Sequence, residues 1–507
     1  MFETLLVLPT AFWVVMSLLA AGMLWSSTGQ LRNGIGLPML AVLGTTAVWY
    51  AGDALYNDYR GDYAQKFTSA VLTNAWWQVA WFLAFFLILT PVMHRMVNRR
   101  HRHQNSRILE MLKAGTVEPL FQLRLNDLFW ICAVVWLALA IIASIRLGNE
   151  APSFFLPFLG QEANPWSRGR IGGGFDALLS LAWNLQLFVA AMFGVITALA
   201  RDNQVRFLAL VGCLMTWPFF IFGSARNPML AVVVPAILAW VFLRLRGGMW
   251  QKTVALVVCF LLINAWFSFV IANRSSMSIT TALEERGFNL EKNGDVHHEG
   301  LNMFEELCWI NLFLQDGTFN PPWGQEYLAE IANPIPRTLW PGKPLIGIDY
   351  AIARGQSFNS GQAGVGATIS TGMIGQGVVN FGRVLGPAFA ALLMSLWAVG
   401  LARLDLEGQK VGRIPLFALG IILTFNLGRD ITLITLYTFV FGSAIVWWLE
   451  WREKSNRRAS ASGRHKQFAS RKGRDKRRNV RPPAEPSPHV VTTAISLEPD
   501  SPPKPQI

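Results

Sequence analysis

The sequence is poor in charged residues and in cysteine, and each shortage excludes a class of protein. Asp, Glu, Lys and Arg make up 15% of the 507 residues, whereas soluble domains carry about 25%. Four cysteines are too few for a disulfide framework in so long a chain. Hydrophobic residues reach 52%, with 21 Trp and 34 Phe. This composition excludes soluble, collagen-like, disulfide-scaffold and wholly disordered proteins.

The net charge of +13 is concentrated in the C-terminal tail. Residues 451–507 contain 14 Lys or Arg and 5 Asp or Glu, which gives +9 and leaves +4 for the rest of the chain. Basic sequence followed by proline-rich sequence predicts disorder beyond about residue 455. Such a tail is typical of a topology anchor on anionic lipid headgroups, with a partner-binding or regulatory role as the alternative. We expect no nucleic acid among the partners.

Long apolar runs dominate the remaining chain. A helix of about 20 apolar residues spans the bilayer core of about 30 Å, and we count about eleven such runs. Pro218, Pro235 and Pro387 interrupt several of them, so a count of about ten to twelve is predicted. The first run is expected to stay in the mature protein, because acidic Glu3 stands where a signal peptide is basic. The runs centre on residues 5–25, 35–51, 75–93, 127–147, 177–200, 207–222, 229–243, 253–272, 384–402, 414–427 and 431–450.

Lys and Arg beside the runs predict the orientation and the organisation of the chain. Residues 94–126 carry seven basic residues against Glu110 and Glu118, so this segment and the basic tail are expected in the cytoplasm. The N-terminus and a large loop then lie outside. The predicted regions are 1–272 with about eight membrane helices, the loop 273–383, 384–450 with about three helices, and the disordered tail 451–507.

The large loop is too apolar to be a floppy linker. Leu301, Phe304, Cys308 and Leu312 recur in it at helical spacing, beside polar residues that include Glu305 and Glu306. This pattern predicts an amphipathic helix. We expect that helix to lie on the membrane surface.

Features that other membrane functions require are missing. No apolar run has a charged residue near its middle, which disfavours an ion- or proton-coupled transporter. The triple glycine at 172–174 lacks the Lys-Ser/Thr of a phosphate-binding loop. His297 and His298 have no Cys or His at ligand spacing. We therefore predict neither a metal nor a cofactor.

Arginine is present on the predicted outer face, where the positive-inside bias disfavours it. Guanidinium groups pair bidentately with phosphate oxygens and stay charged, so the cluster predicts a site for a membrane-anchored diphosphate. The alternative is that each Arg reaches to lipid headgroups or caps a helix end. The cations concerned are Arg226 and Arg429 in short turns between spans, and Arg274, Arg337, Lys343 and Arg383 in the loop.

Two stretches also carry a family resemblance. Residues 334–344 read Pro-Ile-Pro-Arg-Thr-Leu-Trp-Pro-Gly-Lys-Pro, and Gly375 is followed by Asn380-Phe381-Gly382 and Gly386. These stretches resemble the large-loop signature of the bacterial oligosaccharide repeat-unit polymerases, the Wzy-type O-antigen polymerases. The turns that contain Arg226 and Arg429 look like turns that the family places at the outer ends of its spans. The resemblance covers roughly residues 1–450 and is specific only over 334–344 and 375–386.

The resemblance implies an all-α, polytopic glycosyltransferase of the GT-C type in the bacterial inner membrane, with one large periplasmic loop and no metal or cofactor. The enzyme would transfer a growing glycan from undecaprenyl diphosphate to a new lipid-linked repeat unit, building O-antigen, capsule or exopolysaccharide. A flippase and a chain-length regulator are the implied partner proteins, besides membrane lipids. An O-antigen ligase and a lipid-linked oligosaccharide flippase or other transporter are the alternatives.

The candidate site residues divide by role. Preorganised cations stabilise the charge that grows on a departing diphosphate, and a carboxylate or His of the loop could act as general base. For the loop acids the alternative is solvated surface, and for the aromatic residues it is anchoring at the membrane interface. The candidate catalytic residues are Arg226, Arg337, Arg429, Glu305 and Glu306, with His297, His298 and Asp349 as further bases. The candidate substrate-binding residues are Lys343, Trp340, Arg274, Asn380 and His298, with Trp323, Tyr327 and Phe381 as further stacking groups.

Overall fold

The computed structural model describes most of the chain in segments. Residues 1–450 belong to one compact unit. In the second unit, 451–507, only residues 451–455 are described, and they are helical. The described residues are 8–56, 59–99, 104–114, 119–155, 164–166, 177–222, 226–245, 247–272, 303–332, 335, 339–344, 348–354, 370–408, 410, 412–431 and 436–455.

Every regular element in these segments is a helix. The α-helices of the first unit are α1 (Thr10–Trp25), α2 (Gly36–Thr46), α3 (Asp53–Tyr56), α4 (Ala64–Lys66), α5 (Ser69–Val97), α6 (Arg107–Ala114), α7 (Pro119–Leu147), α8 (Ala151–Phe155), α9 (Ala177–Leu199), α10 (Asn203–Ile221), α11 (Arg226–Ala239), α12 (Met249–Ala272), α13 (Met303–Gln315), α14 (Gln325–Ala332), α15 (Ile348–Ala353), α16 (Gly372–Leu406), α17 (Arg413–Arg429) and α18 (436–450). Short π and 3-10 turns extend α1, α2, α7 and α11.

The described helices are those of a multi-pass membrane protein. Six are long and apolar enough to cross a bilayer, and two apolar stretches, Pro228–Ala239 and Trp250–Ile263, are shorter. The prediction of an all-α membrane protein is thus confirmed, while the count of about eleven spans and the GT-C arrangement stay predictions. The six are Thr10–Asn33, Ser69–Val97, Leu125–Phe155, Ala182–Leu199, Asn203–Ile221 and Gly372–Leu406.

Proline does not break the apolar runs. Pro218 lies inside α10, Pro235 inside α11 and Pro387 inside α16, and each helix continues past its proline. Neighbouring helices and local adjustments can satisfy the backbone groups that proline frees in a membrane helix. The interruptions predicted at these three residues were therefore wrong.

Helix α16 is a hairpin of two helical arms, residues 372–381 and 383–406. Gly382 separates them with φ 75° and ψ −177°, a conformation that only glycine adopts readily. Residues 377 and 386 would be about 13 Å apart in a straight helix, yet a Cβ added at Gly377 would lie 2.9 Å from the carbonyl carbon of Gly386. Glycine on both arms permits this close backbone approach. The second arm alone, about 36 Å long, is sufficient to cross a bilayer.

Helix α13 is buried between α5 and the hairpin. Its Phe304 is inaccessible to solvent and lies 4.1 Å from Trp76, measured between ring centroids. Burial of one such side chain contributes about 1.5–3 kcal/mol. The helix predicted from the spacing of Phe304, Cys308 and Leu312 is present, and its place on the membrane surface stays a prediction. Leu301 lies outside the described residues.

Candidate functional site

Helix α13 is held at its first turn by a carboxylate from a distant part of the chain. The backbone amides of Phe304 and Glu305 donate to one oxygen of Asp53, at 2.7 and 3.2 Å. The hydroxyl of Tyr63 donates to the other oxygen at 2.8 Å. A carboxylate at a helix N-terminus satisfies amides that have no partner within the helix and favours the positive end of its dipole. Asp53 therefore positions the two acidic residues in the first turn of α13, Glu305 and Glu306.

Glu306 is paired with residues of the α15 segment. Tyr350 donates to its Oε2 at 2.5 Å, and Arg354 donates through Nη2 to Oε1 at 2.9 Å and through Nε to Oε2 at 3.3 Å. The Arg354 guanidinium also lies 4.5 Å from the centroid of the Trp309 ring, a cation–π distance. Burial is the largest cause that raises the pKa of Tyr350, and the charge of Glu306 adds to it. Both carboxylate oxygens of Glu306 therefore already accept hydrogen bonds within the protein.

Glu305 forms a second ion pair on the same turn. Lys66 lies 3.3 Å from its Oε1, and the indole nitrogen of Trp309 donates to the same oxygen at 3.4 Å. Glu305 is 6% exposed and Glu306 is 3% exposed. Solvated loop surface was therefore the wrong alternative for both residues. Their ion pairs favour a structural or positioning role over proton transfer.

A second acidic group lies where α17 ends. Glu326 and Glu330 of α14 are four residues apart and share one helix face. Both carboxylates act electrostatically on Asp430, the residue after α17. We call Glu326, Glu330 and Asp430 the carboxylate cluster. Within the described segments, no group of three or more His, Cys, Asp or Glu is placed to hold a metal ion.

The first arm of the hairpin borders this cluster. Gln376 donates to the carbonyl of Ile431 at 3.1 Å and accepts from its amide at 2.9 Å, which fixes the chain directly after Asp430. Asn380, fully buried, donates to the carbonyl of Gln376 at 2.9 Å and lies 3.5 Å from Oε2 of Glu326. The arm thus brings α14 and the end of α17 together.

The surroundings of Asp430 favour the protonated form of its carboxyl group. Burial raises its pKa well above the ordinary range, the negative charge of Glu330 adds to this, and the positive charge of Arg429 opposes it. Glu326 raises the pKa further. A carboxyl group whose pKa moves toward neutrality is better matched to proton transfer than an ordinary aspartate.

The structure accounts for some of the predicted site residues. Arg429 is the last residue of α17 and its side chain is exposed beside Asp430. Lys343 is 6% exposed and donates to the carbonyl of Ile335 at 2.9 Å. Trp340 is 38% exposed. Arg429 and Asn380 both lie beside the carboxylate cluster, whereas Glu305 and Glu306 belong to the α13 ion pairs.

The remaining predicted residues are described only in part or not at all. Arg226 is the first residue of α11, and Asp349 lies in α15, but their side chains are outside the described residues. Arg274, His297, His298 and Arg337 are wholly outside them.

Several residues of the α13 ion pairs and of the carboxylate cluster were not predicted from the sequence. Asp53, Lys66 and Arg354 belong to segments that carry no motif, and nothing in their spacing points to α13. Glu326 and Glu330 had a usable signal, because their separation of four residues places two acids on one face of a short amphipathic helix.

Comparisons of the chain with protein-family models, with curated proteins and with solved structures found no match.

Proposed function

We propose that the chain is a membrane glycosyltransferase that polymerises lipid-linked oligosaccharide repeat units, releasing the glycan from undecaprenyl diphosphate as each new unit accepts it. Support comes from the apolar helices, which suit a substrate dissolved in the bilayer, and from the motif residues 375–386, which build the hairpin beside Asp430. In the six described spans, charged residues lie toward the helix ends, except for Arg383, which begins the second arm of the hairpin. That distribution disfavours a transport path.

The observation that carries this proposal is the pairing of opposite charges at the end of α17. Arg429 is exposed, and Asp430 beside it is only partly accessible and faces Glu330 and Glu326. Glycosyl transfer from a diphosphate needs a fixed positive charge for the leaving group. It also needs an acceptor for the hydroxyl proton. The proposal assigns the first role to Arg429 and the second to Asp430, the residue that follows it.

The test is polymerisation by the purified chain in nanodiscs. The probe is an oligosaccharide repeat unit linked to undecaprenyl diphosphate, and products are separated by length on a gel. We expect a ladder of products from the wild type and from Arg99→Ala, an exposed arginine far from the motif residues in sequence. Arg226→Ala and Arg337→Ala should abolish the ladder. Loss of the ladder in Arg99→Ala as well would remove the assigned role of these cations.

The two alternatives give different products in the same assay. Elongation that occurs only when lipid A core is added would identify a ligase. Transfer of the lipid-linked unit across a vesicle membrane, with no longer product, would identify a flippase. Either result would refute the polymerase proposal.

A further inference from the structure

Two buried polar atoms beside the carboxylate cluster have no hydrogen-bond partner in the described part of the chain. They are Oδ1 of Asn380 and the hydroxyl oxygen of Tyr327. The amide nitrogen of the same Asn380 side chain lies 3.5 Å from Glu326, and Tyr327 interacts electrostatically with Asp430 and Glu326. A buried polar atom without a partner has lost its hydrogen bonds to water and gained none in return, which destabilises the fold. Such atoms are therefore expected where a ligand completes the site.

The chemistry of the site calls for a ligand rich in hydrogen-bond donors. Carboxylates and the Asn380 oxygen accept hydrogen bonds, and the Tyr327 hydroxyl can donate or accept. A divalent cation is disfavoured, because no described acidic group has metal-binding geometry. A sugar hydroxyl can donate a hydrogen bond to a carboxylate or to the Asn380 oxygen. It can also accept one from the Tyr327 hydroxyl, so a sugar fits both kinds of group.

Aromatic rings next to the cluster favour a carbohydrate further. The Tyr327 ring is stacked on Phe381 at 6.2 Å between centroids, and Phe381 lies 4.4 Å from Phe389. Trp323 is 72% exposed, in a turn whose next residue, Gly324, packs against Phe381. Apolar faces beside hydrogen-bonding groups match the two kinds of surface that a sugar ring presents.

We propose that Asn380, Tyr327 and the carboxylate cluster form the binding subsite of the acceptor sugar, and that Asp430 accepts the proton of the attacking hydroxyl. This inference rests on the proposed function and adds the acceptor side of the reaction. The acceptor oxygen forms a bond to the anomeric carbon of the donor. The bond from that carbon to the phosphate oxygen breaks, and its electron pair leaves with the diphosphate. The hydroxyl proton passes to the Asp430 carboxylate.

Proton transfer to Asp430 depends on the groups that surround it. Glu326 and Glu330 face it from α14 together with the Tyr327 hydroxyl, Tyr50 faces it from the turn after α2, and Arg429 precedes it in the chain. The two glutamates make proton uptake easier and Arg429 opposes it. The rate of polymerisation should therefore rise with pH over the range in which the Asp430 carboxyl group ionises.

Sugar binding tests the subsite without any turnover. Glucose, galactose and N-acetylglucosamine are added in turn to the full chain in nanodiscs, and binding is followed by saturation-transfer NMR. At least one sugar should bind the wild type and Asp316→Asn, an exposed acid after α13. Asn380→Ala and Glu330→Gln should weaken binding at least 10-fold. Absence of binding to the wild type, or equal binding by all variants, would overturn the subsite.

Turnover tests the proton acceptor. Asp430→Asn should slow elongation about 100-fold and abolish the rise of rate with pH. Retention of that rise would overturn the role of Asp430. A variant that elutes or unfolds unlike the wild type is replaced by Asp430→Glu, for which we expect partial activity and a shifted pH profile. Full activity of either variant also overturns the role. If the wild type binds sugars but makes no ladder, the proposed function fails and the subsite stands.

Discussion

The two ends of α17 place a carboxylate in opposite electrostatic surroundings. Glu407, just before the helix, is bonded by Arg403, Lys410 and Arg413. Asp430, just after it and about 25 Å away, faces two other carboxylates and one arginine. Three cations around one acid make a structural anchor. At Asp430 the charges of Glu330 and Glu326 add to the effect of burial and the charge of Arg429 opposes it, a pattern typical of binding and catalytic sites.

The pKa values of the two acids follow this difference. Burial alone would raise the pKa of Glu407, but the hydrogen bonds of Lys410 and Arg403 and the charge of Arg413 outweigh it and lower the pKa to about 2. Burial also raises the pKa of Asp430, and there the neighbouring glutamates reinforce it. The neighbouring charges therefore reverse the effect of burial at Glu407, whereas at Asp430 burial remains the largest cause of the shift.

The largest expected effect is on the rate of polymerisation, when Arg429 at one end of α17 is compared with Arg403 near the other. Arg429→Ala should lower the rate of polymerisation about 100- to 1000-fold, because the developing charge on the diphosphate loses a fixed cation. Arg403→Ala removes one partner of Glu407 and should leave the rate unchanged. The rate of ladder formation in nanodiscs measures both. Equal losses in the two variants would show that the ends do not differ in function.

The close approach of the two hairpin arms, which lie beside Asp430, should contribute to the stability of the fold. Gly377→Ala places a methyl group against the backbone of Gly386, so the arms must separate and unfolding should become easier by about 1–3 kcal/mol. Gly400→Ala is the matched control, since its Cβ would meet nothing within 4 Å. That variant should be neutral or more stable by about 0.5–1 kcal/mol. Thermal unfolding in detergent would detect the contrast, and similar midpoints would contradict the hairpin.

The anchor at Glu407 should contribute stability that depends on pH. Glu407→Gln should destabilise the fold by about 1–2 kcal/mol at neutral pH. Because the folded pKa is depressed to about 2 from an ordinary 4.5, this contribution is complete above pH 4.5 and is lost as the pH falls toward 2. Thermal unfolding at pH 7 and pH 3 measures the change, with the exposed Glu110→Gln as control. A difference that is the same at both pH values would be inconsistent with the ion-pair network.

The smallest expected effect is a gain in the stability of the fold, rather than a loss. Asp430→Asn should stabilise the fold by less than about 1 kcal/mol at neutral pH, because it removes a charge that burial and Glu330 penalise. A raised pKa means that this penalty is present above the folded pKa and absent below the ordinary value of 3.8. The gain should therefore disappear in acid. Loss of stability at neutral pH would indicate that attraction to Arg429 dominates.

Local pattern predicted the helices but not their partners. The spacing of Phe304, Cys308 and Leu312 predicted α13 because helical periodicity is contained within a few turns. Its burial depends on Asp53, which is 251 residues from Phe304 in sequence, and no periodic signal spans such a distance. The apolar residues that looked suited to lipid are covered instead by α5 and the hairpin.

In the candidate site, too, the sequence predicted some residues but not the contacts that bring them together. Arg429 and Asn380 were predicted from short motifs, and both lie beside the carboxylate cluster. The hairpin that joins them to α14 depends on a single backbone conformation at Gly382, which the residue type permits but does not specify. Asp430 was visible as a neighbour of Arg429, but its electrostatic surroundings arise only when α14 packs beside it.

The contact between Asp53 and the start of α13 has a consequence for synthesis. Ribosomes add about 5–20 residues per second, so the roughly 250 residues that separate these partners take about 12–50 s to translate. During that interval the N-terminal helices exist without the amides that later bind this carboxylate. Until the second half of the protein emerges, the hydrogen-bond partners of Asp53 must come from water or from the N-terminal part of the chain, such as the Tyr63 hydroxyl, and the groove for α13 stays uncovered.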